Sequence, residues 1–152
     1  MRLFARIIMQ PNDFLLLCRS VRFGDTDAAG VMHFHQLLRW CHEAYEESTE
    51  IFGIGANELF PRPGLNLELL LPIVHCSADY LAPLSCGDPL AIQLAPRLLD
   101  SSSFEVSYRF NSRGEAVANA CIRSVCINAI DRKRAPLPAP ISRWIAASAV
   151  TD

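Results

Sequence analysis

The stretch that decides the fold is residues 35–53, which read HQLLRWCHEAYEESTEIFG in one-letter code. Apolar and small side chains recur in it at the i, i+3, i+4 and i+7 spacing of one helical face, and Gly53 follows as a helix stop. Glutamates occupy the opposite face, which we interpret as solvated rather than as a source of general bases. The pattern predicts one long amphipathic helix from His35 to Phe52.

Strand patterns lie on both sides of this helix. The clearest is residues 104–110, where large apolar side chains alternate with polar ones, as in a strand with one buried face and one wet face. The other predicted strands are residues 14–23, 65–81 with an interruption at Pro72, 88–99 and 115–130. Because antiparallel strands must cover the apolar face of one long helix, the element order predicts an α+β fold.

Length and composition indicate one domain and a partner subunit. We expect a single domain over residues 1–152, with its core at about 14–130 and a proline-rich tail at 135–152. Hydrophobic residues make up 51% of the chain and charged residues 20%, which suggests that another copy covers apolar surface. The formal net charge of −2 argues against nucleic acid as a partner.

The cysteines and residues 1–18 indicate the cellular compartment of the protein. The six cysteines form no C-x-x-C pair and no ligand-like spacing with the histidines, as in a reduced protein with structural thiols. Residues 1–18 contain short apolar runs, but the segment 11–13, Pro-Asn-Asp, interrupts them before a signal-peptide core is complete. No stretch approaches the roughly 20 apolar residues of a membrane span. We therefore expect a cytoplasmic protein without membrane contacts.

The candidate site is the loop of residues 21–36, VRFGDTDAAGVMHFHQ, which runs directly into the predicted helix. A helix start leaves backbone N–H groups free, and these can hold the oxyanion of an acyl-transfer reaction while a carboxylate attacks the carbonyl or deprotonates water. Asp27 is the candidate carboxylate, and the amides of residues 33–35 are the candidate donors. Gly30 allows the backbone to turn sharply and to approach a substrate closely.

Residues 23–31 resemble the signature of the 4-hydroxybenzoyl-CoA thioesterase family, in which Phe-Gly-Asp-x-Asp-x-x-Gly-[Val/Ile] precedes the central helix. Residues 72–80 resemble the family's next strand, and residues 87–90 resemble the turn that opens the following strand. The resemblance covers about residues 14–130. It implies a hotdog fold, in which an antiparallel sheet wraps around one long helix, and a site assembled where two subunits join their sheets.

The resemblance also implies roles for individual residues of the loop. Asp27 matches the catalytic carboxylate, Asp25 matches a structural aspartate, and the Phe34 N–H matches the main oxyanion donor. Relatives commonly carry two aromatic residues or Tyr-His at positions 33 and 34, so the histidine of this chain has moved by one position. His33 either orients water or donates to the carbonyl, or it faces away and has no chemical role.

Contacts with the substrate are predicted at His35, His75, Ser77 and Arg97. His75 and Ser77 share one face of the predicted strand, and Cys76 lies on the other face, where we interpret it as a core residue. Arg97 and the basic turn at 132–134 are the nearest candidates for the coenzyme A phosphates, since Asp-Ser-Ser-Ser at 100–103 stands where some relatives are basic.

The chemistry requires no cofactor other than the coenzyme A that belongs to the substrate, and no metal, because a thioester is an activated carbonyl. A metal site formed by the aspartates and histidines of the loop is a weaker alternative, since alternate residues of a loop rarely converge on one ion: Asp25, Asp27, His33 and His35.

The sequence thus predicts an acyl-CoA thioesterase that acts on an aromatic acyl group and forms a homodimer or a dimer of dimers. The segment 25–35 is especially similar to 1,4-dihydroxy-2-naphthoyl-CoA hydrolases of phylloquinone biosynthesis. Two other functions stay open. A hotdog hydratase or dehydratase would use a histidine with an acidic residue, and a non-catalytic module would only bind acyl-CoA.

Overall fold

The computed structural model describes residues 13–149. Its helices are α1 (Gln36–Phe52), α2 (Ala56–Leu59) and α3 (Ala139–Ser148). Its strands are β1 (Leu16–Ser20), β2 (Leu69–Leu70), β3 (Ile73–Tyr80), β4 (Pro89–Asp100), β5 (Ser103–Ser112), β6 (Glu115–Val125) and β7 (Ile127–Asn128). The expectation that no signal peptide is present depends partly on residues 1–12, which lie outside the described residues. Within 13–149, no helix is long and apolar enough to cross a membrane.

A five-stranded antiparallel sheet covers α1. The strand order β1-β4-β5-β6-β3 places β5 in the centre and β3 at an edge. The predicted alternation in β5 is confirmed, because its four large apolar side chains are all buried: Phe104, Val106, Tyr108 and Phe110. They share one hydrophobic core with the apolar face of α1. The predicted α+β fold, with a sheet around one long helix, is therefore confirmed.

The limits of α1 agree with the sequence prediction to within one residue. Gly53 ends the helix in the left-handed conformation, with φ 111°, and its N–H donates to the carbonyls of Thr49 and Glu50. The glutamate face is solvated and carries ion pairs, one of them between Arg39 Nε and Glu43 Oε1 at 3.0 Å. The bounds follow from local signals, namely one apolar face and one glycine.

Two predicted strands are broken in the structure. Residues 65–81 form β2 and β3, separated by Pro72, which has no N–H to donate but accepts the Val125 N–H at 3.1 Å. Residues 115–130 form β6 and β7, because the Cys126 N–H turns away to donate to the Ser102 carbonyl at 2.7 Å. The second halves, β2 and β7, then pair with each other in a small separate sheet.

No strand within residues 13–149 pairs with the outer edge of β3. This strand pairs with β6 on one side, and every residue in it except Ala78 is exposed, including the apolar Ile73, Val74 and Tyr80. Soluble proteins usually protect such an edge with charge, proline or a covering segment. Without such protection from the described residues, this edge can pair with a strand of another chain.

The proline-rich tail joins the core rather than leaving it. After an extended segment, α3 runs from Ala139 to Ser148. Its Trp144 is fully buried, and the indole N–H donates to Ser48 Oγ of α1 at 3.0 Å. The ring lies 5.6 Å from Tyr45 and 6.2 Å from Phe104, measured between ring centroids. The C-terminal helix thus closes one side of the space between α1 and the sheet.

Candidate active site

Asp25 holds the entrance to the loop together. Its carboxylate accepts the Arg22 N–H at 2.8 Å and closes a single helical turn, and its carbonyl accepts the His33 N–H at 2.8 Å. Both interactions are with backbone and lie inside the loop. The structure therefore agrees with the structural role that the family resemblance implies for this aspartate.

Asp27 is held in place but keeps one carboxylate oxygen free. Its N–H donates to the Val31 carbonyl at 2.9 Å, and its carbonyl accepts the Gly30 N–H at 3.0 Å. Oδ1 accepts the Ala29 N–H at 2.8 Å, whereas Oδ2 has no hydrogen-bond partner within residues 13–149. The residue is exposed, and Gly30, with φ 79°, makes the turn that brings the chain back toward α1. The carboxylate is thus oriented, hydrated and available.

The backbone at the start of α1 leaves one amide without a partner. The N–H groups of His33 and Gln36 donate to the carbonyls of Asp25 and His33, at 2.8 and 2.9 Å. The His35 N–H donates to Nδ1 of the His33 ring at 3.4 Å, a long hydrogen bond. The Phe34 N–H donates to no group in the described part of the chain. It is therefore the amide best able to bind an oxyanion.

The rings of His33 and His35 lie against each other, tilted by 55°, beside this amide. The centroids of their rings lie 4.0 Å apart, and the His33 ring lies 4.8 Å from that of Phe34. His33 is half-buried, whereas His35 and Phe34 are exposed. Because Nδ1 of His33 faces the backbone, Nε2 is the nitrogen that can reach outward. Among residues 13–149, no group of three or more His, Cys, Asp or Glu side chains is arranged to hold a metal ion.

A separate apolar cavity of about 300 Å³ lies between α1 and the sheet. Aromatic and aliphatic side chains from several elements line it, among them Tyr45, Phe60, Phe104, Tyr108, Ile122 and Ile127. The Tyr45 hydroxyl is buried and lacks a hydrogen-bond partner within the described range. Burial raises the pKa of this hydroxyl, so it stays protonated. The lining of the cavity is thus largely apolar, as in many sites that bind small molecules.

The loop and the cavity lie apart in one chain. The cavity begins on α1 at His42, six residues beyond the helix start at Gln36. A helix rises 1.5 Å per residue, so this separation is about 9 Å along the axis. Ile73, at the beginning of the edge strand, also lines the cavity, whereas Tyr80, at its other end, donates a hydrogen bond to the Phe34 carbonyl. One end of β3 thus lies at the cavity and the other end at the loop.

Comparison with known proteins identifies the family. The sequence model of the thioesterase-like superfamily matches residues 21–145. The chain belongs to the thioesterase-like superfamily. A 1,4-dihydroxy-2-naphthoyl-CoA hydrolase from Synechococcus sp. (strain RCC307) is 63% identical over 131 residues, which are 86% of this chain and 100% of that protein.

Further relatives of this thioesterase agree in fold and in sequence. A 1,4-dihydroxy-2-naphthoyl-CoA hydrolase from Prochlorococcus marinus (strain MIT 9303) is 51% identical over 145 residues, which cover 93% of this chain and 96% of that protein. The crystal structure of a 1,4-dihydroxy-2-naphthoyl-CoA thioesterase from Synechocystis is similar with a TM-score of 0.80 and 34% identity, and it covers 87% of this chain and 95% of that one. The predicted hotdog fold and thioesterase resemblance are thereby confirmed.

The structure places three predicted contacts of the thioesterase on the other side of the sheet. Cys76 pairs with Ile122, which lines the cavity, so the next residues in each direction, His75 and Ser77, point to the opposite face. Arg97 pairs with Glu105 on that same outer face, at 3.0 Å. Together with Arg123, this guanidinium lowers the pKa of Glu105. One chain alone does not bring these three residues together with Asp27.

Sequence reasoning missed the residues of the cavity and the contact of Tyr80 with the loop. The alternation in β5 indicates which side chains point toward α1, but it carries no signal for an unfilled volume. The Tyr80 contact joins residues 46 positions apart, and only the folded sheet edge brings them together.

Proposed function

We propose that this thioesterase hydrolyses aromatic acyl-CoA thioesters, with 1,4-dihydroxy-2-naphthoyl-CoA of phylloquinone biosynthesis as its substrate. Water adds across the C–S bond, and the products are 1,4-dihydroxy-2-naphthoate and coenzyme A. The observation that carries the proposal is that one loop contains an Asp27 carboxylate oxygen and a Phe34 N–H, neither of which has a hydrogen-bond partner within residues 13–149. The relatives named above support the choice of acyl group.

The loop supplies both parts of the reaction. Asp27 Oδ2 either attacks the thioester carbonyl carbon or takes a proton from the attacking water, and both routes need an oriented, ionised carboxylate. As the carbonyl oxygen becomes negative, the Phe34 N–H donates to it, assisted by its place beside the start of α1. The thiolate of coenzyme A then leaves. His33 stays a candidate for orienting the water through Nε2.

The proposed enzyme is a homodimer in which two copies of β3 pair along their outer edges. If the strand Ile73–Tyr80 pairs antiparallel with its own copy about its middle, Tyr80 of one chain lies opposite Ile73 of the other. This arrangement carries the loop of one subunit to the mouth of the other subunit's cavity. The ring system of the acyl group then occupies a cavity whose loop belongs to the neighbouring chain.

The basic turn beside the cavity is the proposed site for coenzyme A phosphates. Arg132 lines the cavity and has a φ of 64°, a conformation uncommon for a residue other than glycine. Arg134 Nη1 donates to Ser102 Oγ at 3.1 Å, so the turn lies against the segment where some relatives are basic. The direct substrate contacts predicted for His35, His75, Ser77 and Arg97 stay predictions, as do the cytoplasmic location and the lack of a separate cofactor.

A thioester panel tests the function. The purified protein is assayed by release of the coenzyme A thiol from 1,4-dihydroxy-2-naphthoyl-CoA, 4-hydroxybenzoyl-CoA, and short aliphatic acyl-CoA esters. We expect the highest kcat/KM with the naphthoyl thioester. A strong preference for short aliphatic substrates would contradict the assignment. Hydration of crotonyl-CoA would favour a hydratase, and binding without turnover would favour a non-catalytic module.

Complementation between subunits tests the shared site. One inactive variant, Asp27→Asn, keeps the cavity, and another, Val106→Trp, keeps the loop but fills the cavity. When the two chains are co-expressed, half of the dimers are mixed, and each mixed dimer contains one intact site. The expected activity is about a quarter of that of the wild type. If each chain formed its own site, no activity would return.

A further inference from the structure

The last residue of the edge strand reaches across to the catalytic loop. Tyr80 lies at the end of β3, and its hydroxyl donates a hydrogen bond to the Phe34 carbonyl, 46 positions away in sequence. The side chain extends along the surface and is 47% exposed. On the sheet, Tyr80 pairs with Ala118 of β6, so its backbone is fixed by the ladder and the hydroxyl has a rigid base.

Little else holds the backbone of Phe34. Within residues 13–149 its carbonyl accepts no backbone N–H, since the first helical hydrogen bond, from the Arg39 N–H, goes to the His35 carbonyl. Its side chain is 70% exposed and provides little packing. Within residues 13–149, the Tyr80 hydroxyl is the sole hydrogen-bond partner of the Phe34 backbone. The neighbouring amides of His33 and Gln36, in contrast, are tied to backbone carbonyls.

We propose that Tyr80 is a positioning residue of the oxyanion hole. The hydroxyl fixes the Phe34 carbonyl and so limits rotation about the bonds on either side of that residue, which keeps the Phe34 N–H aimed at the substrate. This inference rests on the proposed function, in which that N–H binds the oxyanion. A donor that is already oriented loses no free energy to reorganisation when charge develops on the substrate.

The state of the hydroxyl suits this task. Burial, and to a smaller extent the nearby Cys41 thiol, raises the pKa of Tyr80, so the group remains a donor at neutral pH. In the proposed dimer, β3 also forms the subunit boundary. In that dimer, assembly and the orientation of the oxyanion donor would therefore depend on the same strand.

The test is Tyr80→Phe, which removes one oxygen and keeps the ring. We expect kcat with the naphthoyl thioester to fall roughly ten- to a hundredfold, because a small misplacement of a catalytic group has effects of this size. KM should change less than about twofold, because Tyr80 does not contact the substrate. The pH profile of kcat should keep the shape of the wild-type profile, since Tyr80 takes no part in the proposed proton transfer.

Ser112→Ala is the matched control. Ser112 Oγ also donates to a backbone carbonyl, that of Pro89, at 2.6 Å, but this bond lies at the β5–β6 hairpin and does not involve Phe34. This variant should keep the kcat of the wild type. A direct readout is the ¹⁵N order parameter of the Phe34 amide, which should fall in Tyr80→Phe and stay unchanged in Ser112→Ala.

The outcomes separate this inference from the proposed function. An active wild type with an equally active Tyr80→Phe variant would overturn the positioning role alone. Equal losses of kcat in Tyr80→Phe and Ser112→Ala would also overturn it, since they would indicate a general effect of losing a surface hydroxyl. A wild type that hydrolyses no acyl-CoA would overturn the proposed function and, with it, this role for Tyr80.

Discussion

The catalytic loop and the apolar cavity are built in opposite ways. The loop, residues 21–36, is mostly exposed, and backbone hydrogen bonds hold its shape, many of them between residues a few positions apart. The cavity is enclosed by rings and aliphatic side chains from α1, α2 and the sheets, and packing across long sequence separations holds its shape. The loop supplies a carboxylate and a backbone N–H donor, and the cavity supplies an apolar space.

Because of this difference, substitutions in the loop should change mainly the reaction rate, and substitutions around the cavity should change the stability of the fold. A side chain of the loop makes few packing contacts, so its removal should change the reaction more than the fold. A side chain in or behind the cavity wall contributes to the core, so its removal should change both the stability and the choice of acyl group. Variants in each region therefore test whether the two tasks are as separate as the structure indicates.

Asp27→Asn should have the largest effect and should act on the rate alone. We expect kcat to fall by about 10⁴-fold, because the variant keeps an oxygen to accept the Ala29 N–H but has no carboxylate to attack or to take a proton. Thermal unfolding should match that of the wild type. Activity close to that of the wild type would remove Asp27 from the mechanism, and a large loss of stability would contradict the comparison.

Trp144→Ala should affect the fold first. The indole is fully buried behind Tyr45 and Phe104, both of which line the cavity, and its loss should lower the free energy of unfolding by about 3–5 kcal/mol in urea titration. The cavity should deepen, so kcat/KM for acyl groups larger than naphthoyl should rise relative to the naphthoyl thioester.

Trp144→Phe is the control for this variant, because it keeps an aromatic wall and loses the bond to Ser48. Its loss of stability should be smaller, and its preference among acyl groups should stay that of the wild type. If Trp144→Ala left the preference unchanged, α3 would have no part in selecting the substrate.

The same contrast explains what could be predicted from the sequence. The loop and α1 were predicted correctly because their signals are local: one apolar face, one terminal glycine, and two aspartates with a glycine before a helix start. The break of β6 at Cys126 was missed, since it depends on a hydrogen bond to Ser102 of a neighbouring segment. The cavity is the space that side chains from several separate elements leave unfilled. No local sequence pattern predicts its volume.

The predicted roles of the residues on β3 show the limit of alternation. Alternation correctly places His75 and Ser77 on one face and Cys76 on the other, but the interpretation of Cys76 as a core residue was wrong, because its side of the edge strand is exposed in this chain. Which face points toward α1 is decided by the register with β6, where Cys76 lies opposite Ile122. Register depends on long-range pairing. The sequence therefore indicates which of these side chains share a face, but not which face points toward α1.

Gly30→Ala tests the backbone of the loop. No atom lies within 4 Å of the position that a Cβ would take, so the cost should come from the φ of 79° alone and amount to about 1–2 kcal/mol in the free energy of unfolding. Gly24→Ala is the control, because Gly24 lies in the same loop with equal space and without the positive φ. Equal stability of the two variants in urea titration would show that the turn at Gly30 is not strained by a side chain.

Tyr45→Phe should have the smallest effect, and its sign is informative. A buried hydroxyl without a partner loses its hydration on folding and gains nothing in return, so its removal should leave the free energy of unfolding unchanged or raise it by up to about 1 kcal/mol. Thr49→Val also removes a buried hydroxyl, but one that donates hydrogen bonds to the Tyr45 and Glu46 carbonyls. This variant should lower the free energy of unfolding by about 1 kcal/mol. Urea titration of both variants measures the difference. A clear loss of stability in Tyr45→Phe would mean that the hydroxyl is hydrogen-bonded in solution, for example to buried water, and that the cavity wall is more polar than its packed rings indicate.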